Sequence, residues 1–485
     1  MCLVLKNAIV KRLQDVIVFF LLSGLLYYGA FWQMFSTNAD AAHYQCYAVA
    51  FWQGWSGFQK LAPGQCSFIV YPNSGLTVIS QDELSHKMQQ WKLPSGLIRF
   101  VAAQRLDQSY HALPYEYPWP VLIPFSLGLV VPAHWYQCAF AIAMLLIVGS
   151  LYLALLRWRS RSSALAYSLY LLVGGWTTAV ARFDLIPAAL TLFAVICVER
   201  KRWNWAFVCL ALATFLKFYS AALLVPFFLA LQQERQGKWY AWRRWQPLAV
   251  FGGVCLLIIG VSLLSSVAGT LTPLVFFNSR PVQIESLSAS ILWVFSLLGK
   301  TSLTYVHTFG SINVLGALSS NILSRMIQAL IASLAYTWWL QWRGHLDLAM
   351  TCLLTLLTVI VTNKVFSPQY LIWVIPLAAY IGQGNCRWLL FWTAVGLLTS
   401  WAYPYIYAMA SGHLLVPYTL LFYPVTATRN FLLLGFIITL LASRSCLVSA
   451  SRHSLSDDKE QAKSGGKNPE QGLVEAWIVQ AEKGN

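Results

Sequence analysis

The chain has 485 residues, of which 58% are hydrophobic and only 10% charged, and its mean hydropathy is +0.59. Such a composition excludes an ordinary soluble domain, and apolar runs that recur to about residue 442 read as a polytopic membrane protein. The formal charge of +16 would suggest nucleic acid in a soluble protein. Here the basic residues lie in short tracts between apolar runs, which is a topology signal and implies no nucleic-acid partner.

The first apolar run, 14-35, is longer than a signal-peptide core and lacks a small-residue cleavage signature, so it reads as a retained span. Lys6, Lys11 and Arg12 precede it. Later basic tracts are "RWRSR" at 157-161, "ERKRW" at 199-203 and "QERQGKWYAWRRW" at 233-245, with Arg343, Arg387 and Arg444 beyond further apolar runs. Taken as cytoplasmic, these tracts put both termini inside and Asp40, just past the first span, outside.

The segment 36-135 is then a long first extracytoplasmic loop. Its stretches "SQDELSHKMQQW" and "GLIRFVAAQRL" are amphipathic and read as interfacial helices. Cys46 and Cys66 both fall in it, and either a disulfide or two free thiols fits the spacing. Counting apolar runs between basic tracts gives about twelve helices: 14-35, 136-156, 163-181, 184-198, 203-217, 218-232, 247-267, 320-342, 346-362, 368-385, 388-405 and 423-443. Two further stretches, 118-131 and 286-298, are too short to cross a hydrocarbon core of about 30 Å and read as half-inserted. The helical domain covers 1-442, and 443-485 reads as a polar, disordered cytoplasmic tail. The expected class is all-α.

Several charges break the inside bias: Arg182 and Asp184 in "AVARFDLIP", Lys217 in "ATFLKFYSAA", Arg280 and Glu285 in "NSRPVQIESL", and Lys364 in "VTNKVFSPQY". Roughly 29 apolar residues separate the basic tracts around Lys217, so the chain is expected to turn there, between two helices of about 21 Å each. A charge inside the membrane is costly unless it faces a wet cavity or a partner, which marks these residues as a site. Local ion pairs, Arg182 with Asp184 and Arg280 with Glu285, are the structural alternative. Lys217 and Lys364 have no acidic neighbour in sequence, which favours an external anion such as a lipid phosphate.

These residues fall in an ordered series: "DAAHY" at 40-44, "YEYPWP" at 115-120, "RFDLIPAAL" at 182-190, Lys217 in "LKFYSAALLVPF", "RPVQIESLSA" at 280-289, and "KVFSPQYLIWVIPL" at 364-377. The series resembles the polyprenyl-phosphate-sugar-dependent glycosyltransferases of the GT-C superfamily, in particular glycosyltransferase family 87, which includes mycobacterial mannosyltransferases. It runs over about 14-440, and departs from the family at Trp119, where the acidic motif has a second proline. The resemblance implies a GT-C fold and a hexosyltransferase that takes sugar, mannose by kinship, from a polyprenyl-phosphate donor with inversion. The implied acceptor is a lipid-linked or cell-envelope glycan, with no cofactor and no metal.

On that reading Asp40 is the catalytic base, and Arg182, Lys217, Arg280 and Lys364 hold the departing phosphate. His43, Tyr44, Glu116, Tyr117, Asp184, Gln283, Glu285, Gln369 and Tyr370 contact sugar or acceptor, or orient the cations. For Asp40 the plain alternative is helix capping, because Asn38 and Asp40 are both good cap residues. For "EYP" and "SPQY" it is helix-start chemistry. A transporter or flippase of lipid-linked saccharide or another anionic solute is the rival function; it predicts matched broken helices in two pseudo-symmetric halves, a pattern this sequence does not display.

Overall fold

The structure is a computed structural model that describes residues 2-71, 79-235, 237-410 and 412-464, with side chains described from residue 10 to 443. It is mostly helical, and each of the twelve apolar runs falls on helical structure. Among the described residues five helices are long and apolar enough to cross a membrane: Val10–Phe31, Ala133–Trp158, Trp242–Ser265, Cys386–Met409 and Phe422–Ser443. The shorter apolar helices, such as Leu185–Glu199, Trp203–Leu216, Leu348–Thr362 and Tyr370–Gly382, reach roughly 20 Å at 1.5 Å per residue, short of a full core.

Helix α1 (Cys2–Phe31) is tied near its middle by Asp15, which pairs with Arg161 at 2.7 Å. Near its C-terminal end Gly29 faces Trp176, whose indole N–H donates to the Leu25 carbonyl at 3.0 Å; a side chain at Gly29 would overlap that ring. Helices α2 (Asp40–Gln53), α3 (Gln81–Gln90) and α4 (Ser95–Ala102) belong to the first loop. Cys46 and Cys66 are joined as a disulfide, which settles the open pairing in favour of the bridge. Gln65 adds bonds to the Ala42 carbonyl and to Gln45, so α2 is held from two sides. The 118-131 stretch breaks into three short helices, as Pro118, Pro120 and Pro124 require.

The bundle continues with α5 (Tyr136–Trp158), α6 (Arg161–Gly175), α7 (Leu185–Glu199), α8 (Trp203–Leu216) and α9 (Leu224–Glu234). The chain leaves the helix at Lys217, as the spacing of basic tracts implies, with φ −151° and ψ 123°. The expected helix over 247-267 is α10 (Trp242–Ser265), and a helix outside that reading, α11 (Val267–Ser279), follows after a break at Ser266. Gln104 of the first loop fills that break, donating to Leu263 and Leu264 and accepting from Val267 N–H, so orphaned backbone groups are satisfied.

A small antiparallel sheet, absent from the sequence reading, follows: β1 (Val282–Gln283), β2 (Thr304–Thr308) and β3 (Ser311–Leu315), in the order β1-β3-β2. Phe309 and Gly310, both at positive φ, form the hairpin turn. Helix α12 (Leu287–Leu297) is the second short apolar stretch. The last helices are α13 (Ser319–Trp342), α14 (Leu348–Thr362), α15 (Tyr370–Gly382), α16 (Cys386–Ser400) and α17 (Phe422–Ser464). Helices α6 and α16 meet backbone to backbone at Gly174 and Gly396, where any side chain would hold them apart.

After α16 the chain kinks at Tyr403, which is extended because Pro404 follows it. The tail expected as disordered from 443 differs in its first part: α17 runs on to Ser464. No glycine or proline interrupts 436-464, whereas glycines stand at 465 and 466. Residues 465-485 of that expected tail lie outside the described residues.

Candidate functional site

Asp40 is the first residue of α2, preceded by Ala39, and no side chain caps that helix. The capping alternative therefore does not describe it. Its carboxylate instead meets Arg182, with Oδ2 to Nη2 at 2.5 Å. Arg182 lies in the irregular turn between α6 and α7, where Phe183 is buried between it and Asp184.

The two charges of "RFD" consequently serve different partners. Asp184, 1% exposed, accepts from Lys217 Nζ at 2.6 Å and from the Trp373 indole at 2.5 Å. The structural alternative of a local pair Arg182–Asp184 is thus not formed, and two long-range pairs stand in its place. Lys217, 10% exposed at its side chain, is also ringed by Phe183 at 4.9 Å, Trp373 at 5.1 Å, Tyr117 at 5.8 Å and Tyr370 at 5.9 Å. A carboxylate and four ring faces satisfy this ammonium. That differs from the expectation that Lys217, lacking a nearby acid in sequence, waits for an external anion.

Tyr44 and Tyr117 form the aromatic floor beneath. Tyr44 stacks on Phe125 at 4.2 Å, and both tyrosines meet Phe183 edge-on, at 5.5 and 5.2 Å. Tyr370 stacks on Trp373 at 3.9 Å, whose other face carries Tyr219, also at 3.9 Å. His43, one turn along α2 from Asp40, lies against Phe68 at 4.4 Å. Burial lowers the His43 pKa; Asp40 opposes that shift and Arg182 adds to it.

Glu116 links the halves of the cluster. It lies within the electrostatic reach of Arg280, Asp40, Lys217 and Arg182; burial raises its pKa and Arg280 pulls most strongly the other way. Arg280 itself donates to Ser311 of the hairpin at 2.9 Å, while its Nε is buried without a partner. Lys364 donates to the Asn278 carbonyl at 2.9 Å and is a close electrostatic neighbour of Arg280. Among the described residues neither cation has a carboxylate within 4.0 Å. Backbone holds them together, since Gln283 N–H donates to the Lys364 carbonyl at 2.9 Å.

The alternative local pair Arg280–Glu285 is not formed among the described residues either. Glu285 accepts from Tyr407 at 2.7 Å, and its main-chain carbonyl accepts from Arg429 at 2.7 Å and Asn430 at 3.0 Å. Gln283 is buried with Oε1 unpartnered, and Gln369 accepts from Ser367 at 2.6 Å, apart from the charges. The structure therefore brings Asp40, Glu116, Arg182, Asp184, Lys217, Arg280, Glu285 and Lys364 into one connected cluster. Trp373, Tyr403, Tyr407, Arg429 and Asn430 also belong to it and were missed. Arg429 had a signal, as the one charge within the run 423-443.

Chemically, the cluster offers two ion pairs, one of them holding Asp40, and two adjacent cations with no carboxylate within 4.0 Å, Glu116 acting on Arg280 from farther away. In comparisons with known proteins the chain matches no family model, no curated protein and no solved structure.

Proposed function

We propose that this chain is an integral-membrane glycosyltransferase that moves a hexose, mannose by kinship, from a polyprenyl-phosphate donor to a lipid-linked or cell-envelope glycan. The reaction takes place on the extracytoplasmic face of a GT-C fold of about twelve transmembrane helices, with both termini in the cytoplasm. One observation carries the reading: Arg280 and Lys364 stand side by side without a carboxylate, in the same cluster as the Asp40 carboxylate. Adjacent like charges in a half-buried site are stabilised by an anion that bridges them, and a phosphate monoester has the oxygens to do so.

In this mechanism Asp40 accepts the proton of the acceptor hydroxyl, whose oxygen bonds to the anomeric carbon from one face. The bond from that carbon to the phosphate oxygen breaks on the other face, and its electron pair leaves with polyprenyl phosphate. Arg280 and Lys364 stabilise that growing charge. Arg182 holds Oδ2 of Asp40, which leaves Oδ1 to take the proton. Asp184 and Lys217 hold the "RFD" turn and keep Arg182 in place.

The test incubates purified protein with labelled polyprenyl-phosphate mannose, glucose and arabinose and measures transfer. One donor is expected to be consumed, and folded Asp40→Asn is expected to lose about a thousandfold in turnover, within the range of general-base catalysis. No consumption of any donor, or full turnover by the variant, rejects the reading.

A further inference from the structure

Helix α17 places Arg429 and Asn430 within its apolar stretch, and both side chains are fully buried. Among the described residues Arg429 has no carboxylate within 4.0 Å. A charge that deep persists only if it has a task or a partner, and here the partners are framework. Its Nη2 donates to the Glu285 carbonyl at 2.7 Å and its Nε to Asn430 at 3.1 Å, while the guanidinium lies over the Phe366 ring at 4.0 Å. Asn430 donates to the same carbonyl at 3.0 Å and to Ser290 at 2.9 Å.

Those contacts fall on two segments of the cluster. Glu285 stands five residues after Arg280, and Phe366 stands two residues after Lys364. The same segments are joined by the bond from Gln283 N–H to the Lys364 carbonyl. Two like charges repel, so the pair keeps a spacing useful to one ligand only if the backbones beneath it are fixed. Arg429 and Asn430 reach both backbones from behind, and with no exposure they cannot touch the ligand themselves.

We infer that Arg429 and Asn430 are positioning residues that hold Arg280 and Lys364 at the separation a phosphate monoester requires. This rests on reading those two cations as the donor-phosphate site.

The test uses the full chain in lipid nanodiscs with farnesyl phosphate as probe and farnesol as its uncharged control. Arg429→Met, Arg429→Lys and Asn430→Ala are compared with wild type, and Arg280→Gln serves as the direct-contact reference. Arg429→Met is expected to weaken farnesyl phosphate about tenfold, as for residues that act on a ligand without touching it. Asn430→Ala loses less, Arg429→Lys regains part of the affinity, and farnesol binding is unchanged in all three. The inference is overturned if folded Arg429→Met and Asn430→Ala bind farnesyl phosphate as wild type does, or lose farnesol to the same extent. Should Arg429→Met fail to fold, Asn430→Ala decides. If wild type does not bind farnesyl phosphate, or Arg280→Gln binds it undiminished, the donor-site reading itself falls and the positioning role falls with it.

Discussion

The two halves of the charge cluster are built on opposite principles. Around Asp184 every charge has its complement within the chain: Lys217 meets the carboxylate at 2.6 Å, the Trp373 indole adds a donor, and aromatic rings close the rest. Around Arg280 the direct partners of the two cations are a hydroxyl and a backbone carbonyl, and Glu116 reaches Arg280 only from beyond 4.0 Å. The first half pairs charge with charge at contact distance, with Asp184 Oδ2 and Arg182 Nε left buried without a partner. The second has no such contact pair, and on the proposed function an anion supplies it.

The comparison breaks most readily at Lys217. Removing one member of a buried pair leaves the other as an uncompensated charge, so Lys217→Met is expected to cost about 3–5 kcal/mol of stability, read as a fall in thermal unfolding temperature in detergent. The double variant with Asp184→Asn recovers most of that loss. Arg280→Gln, which breaks no ion pair within 4.0 Å and leaves Glu116 the cations Lys217 and Arg182, is expected to lower the unfolding temperature far less. Equal destabilisation by the two single variants would erase the distinction between the halves.

The first loop, 36-135, gives the next largest effect. The Cys46–Cys66 bridge spans 20 residues, and opening a loop of that length costs roughly 3 kcal/mol on the chain-entropy account. The doubly substituted Cys46→Ser/Cys66→Ser protein is expected to unfold at lower temperature. Transfer should fall with it, because the bridge fixes the helix that begins at Asp40. An unchanged unfolding temperature would mean that the bonds made by Gln65 and Gln45 suffice.

A third effect belongs to the unpaired half alone. Farnesyl phosphate at a hundredfold excess over its dissociation constant stabilises the folded state by about 2.7 kcal/mol, because it binds only that state. The resulting rise in unfolding temperature should vanish in Arg280→Gln and in Lys364→Gln and persist in His43→Gln. A rise that survives the loss of both cations would place the anion elsewhere.

How much of this was legible in the sequence depended on whether a property is local. The apolar runs gave the helices, and the interval between basic tracts gave the break at Lys217. The pairing pattern was not legible, because Arg182 and Asp184 flank the buried Phe183 and lead in different directions, one to α2 and one to the break after α8. Partner choice there is set by helices that are distant in sequence. The hairpin was legible in principle, since "TYVHTFGSINVL" holds two β-rich runs around Phe309-Gly310. Its five-residue strands are far shorter than the membrane-length runs on either side. Arg429 was visible too, but its role needed the position of Glu285.

The smallest effect concerns His43, which stands beside the paired half and is a second candidate for handling the acceptor proton. Burial lowers its pKa below the ordinary value, against the pull of Asp40 and with the push of Arg182. The unfolded chain therefore binds that proton more readily than the folded one, and stability rises with pH wherever this difference holds. The contribution is fully present above the ordinary histidine value near 6.5 and is lost as pH falls from there through the lowered folded value. Wild type is expected to unfold at a lower temperature at pH 5.5 than at pH 7.5, and His43→Gln should narrow that gap. His307, whose pKa burial also lowers, with His413 adding to the shift, remains in both proteins and cancels in the difference. The tilted contact of His43 with Phe68 at 4.4 Å argues for packing over proton transfer, so turnover of His43→Gln should stay within a few-fold of wild type. If its turnover collapses while the pH dependence of unfolding stays as it was, the proton passes through His43, and Asp40 with Arg182 becomes part of the scaffold.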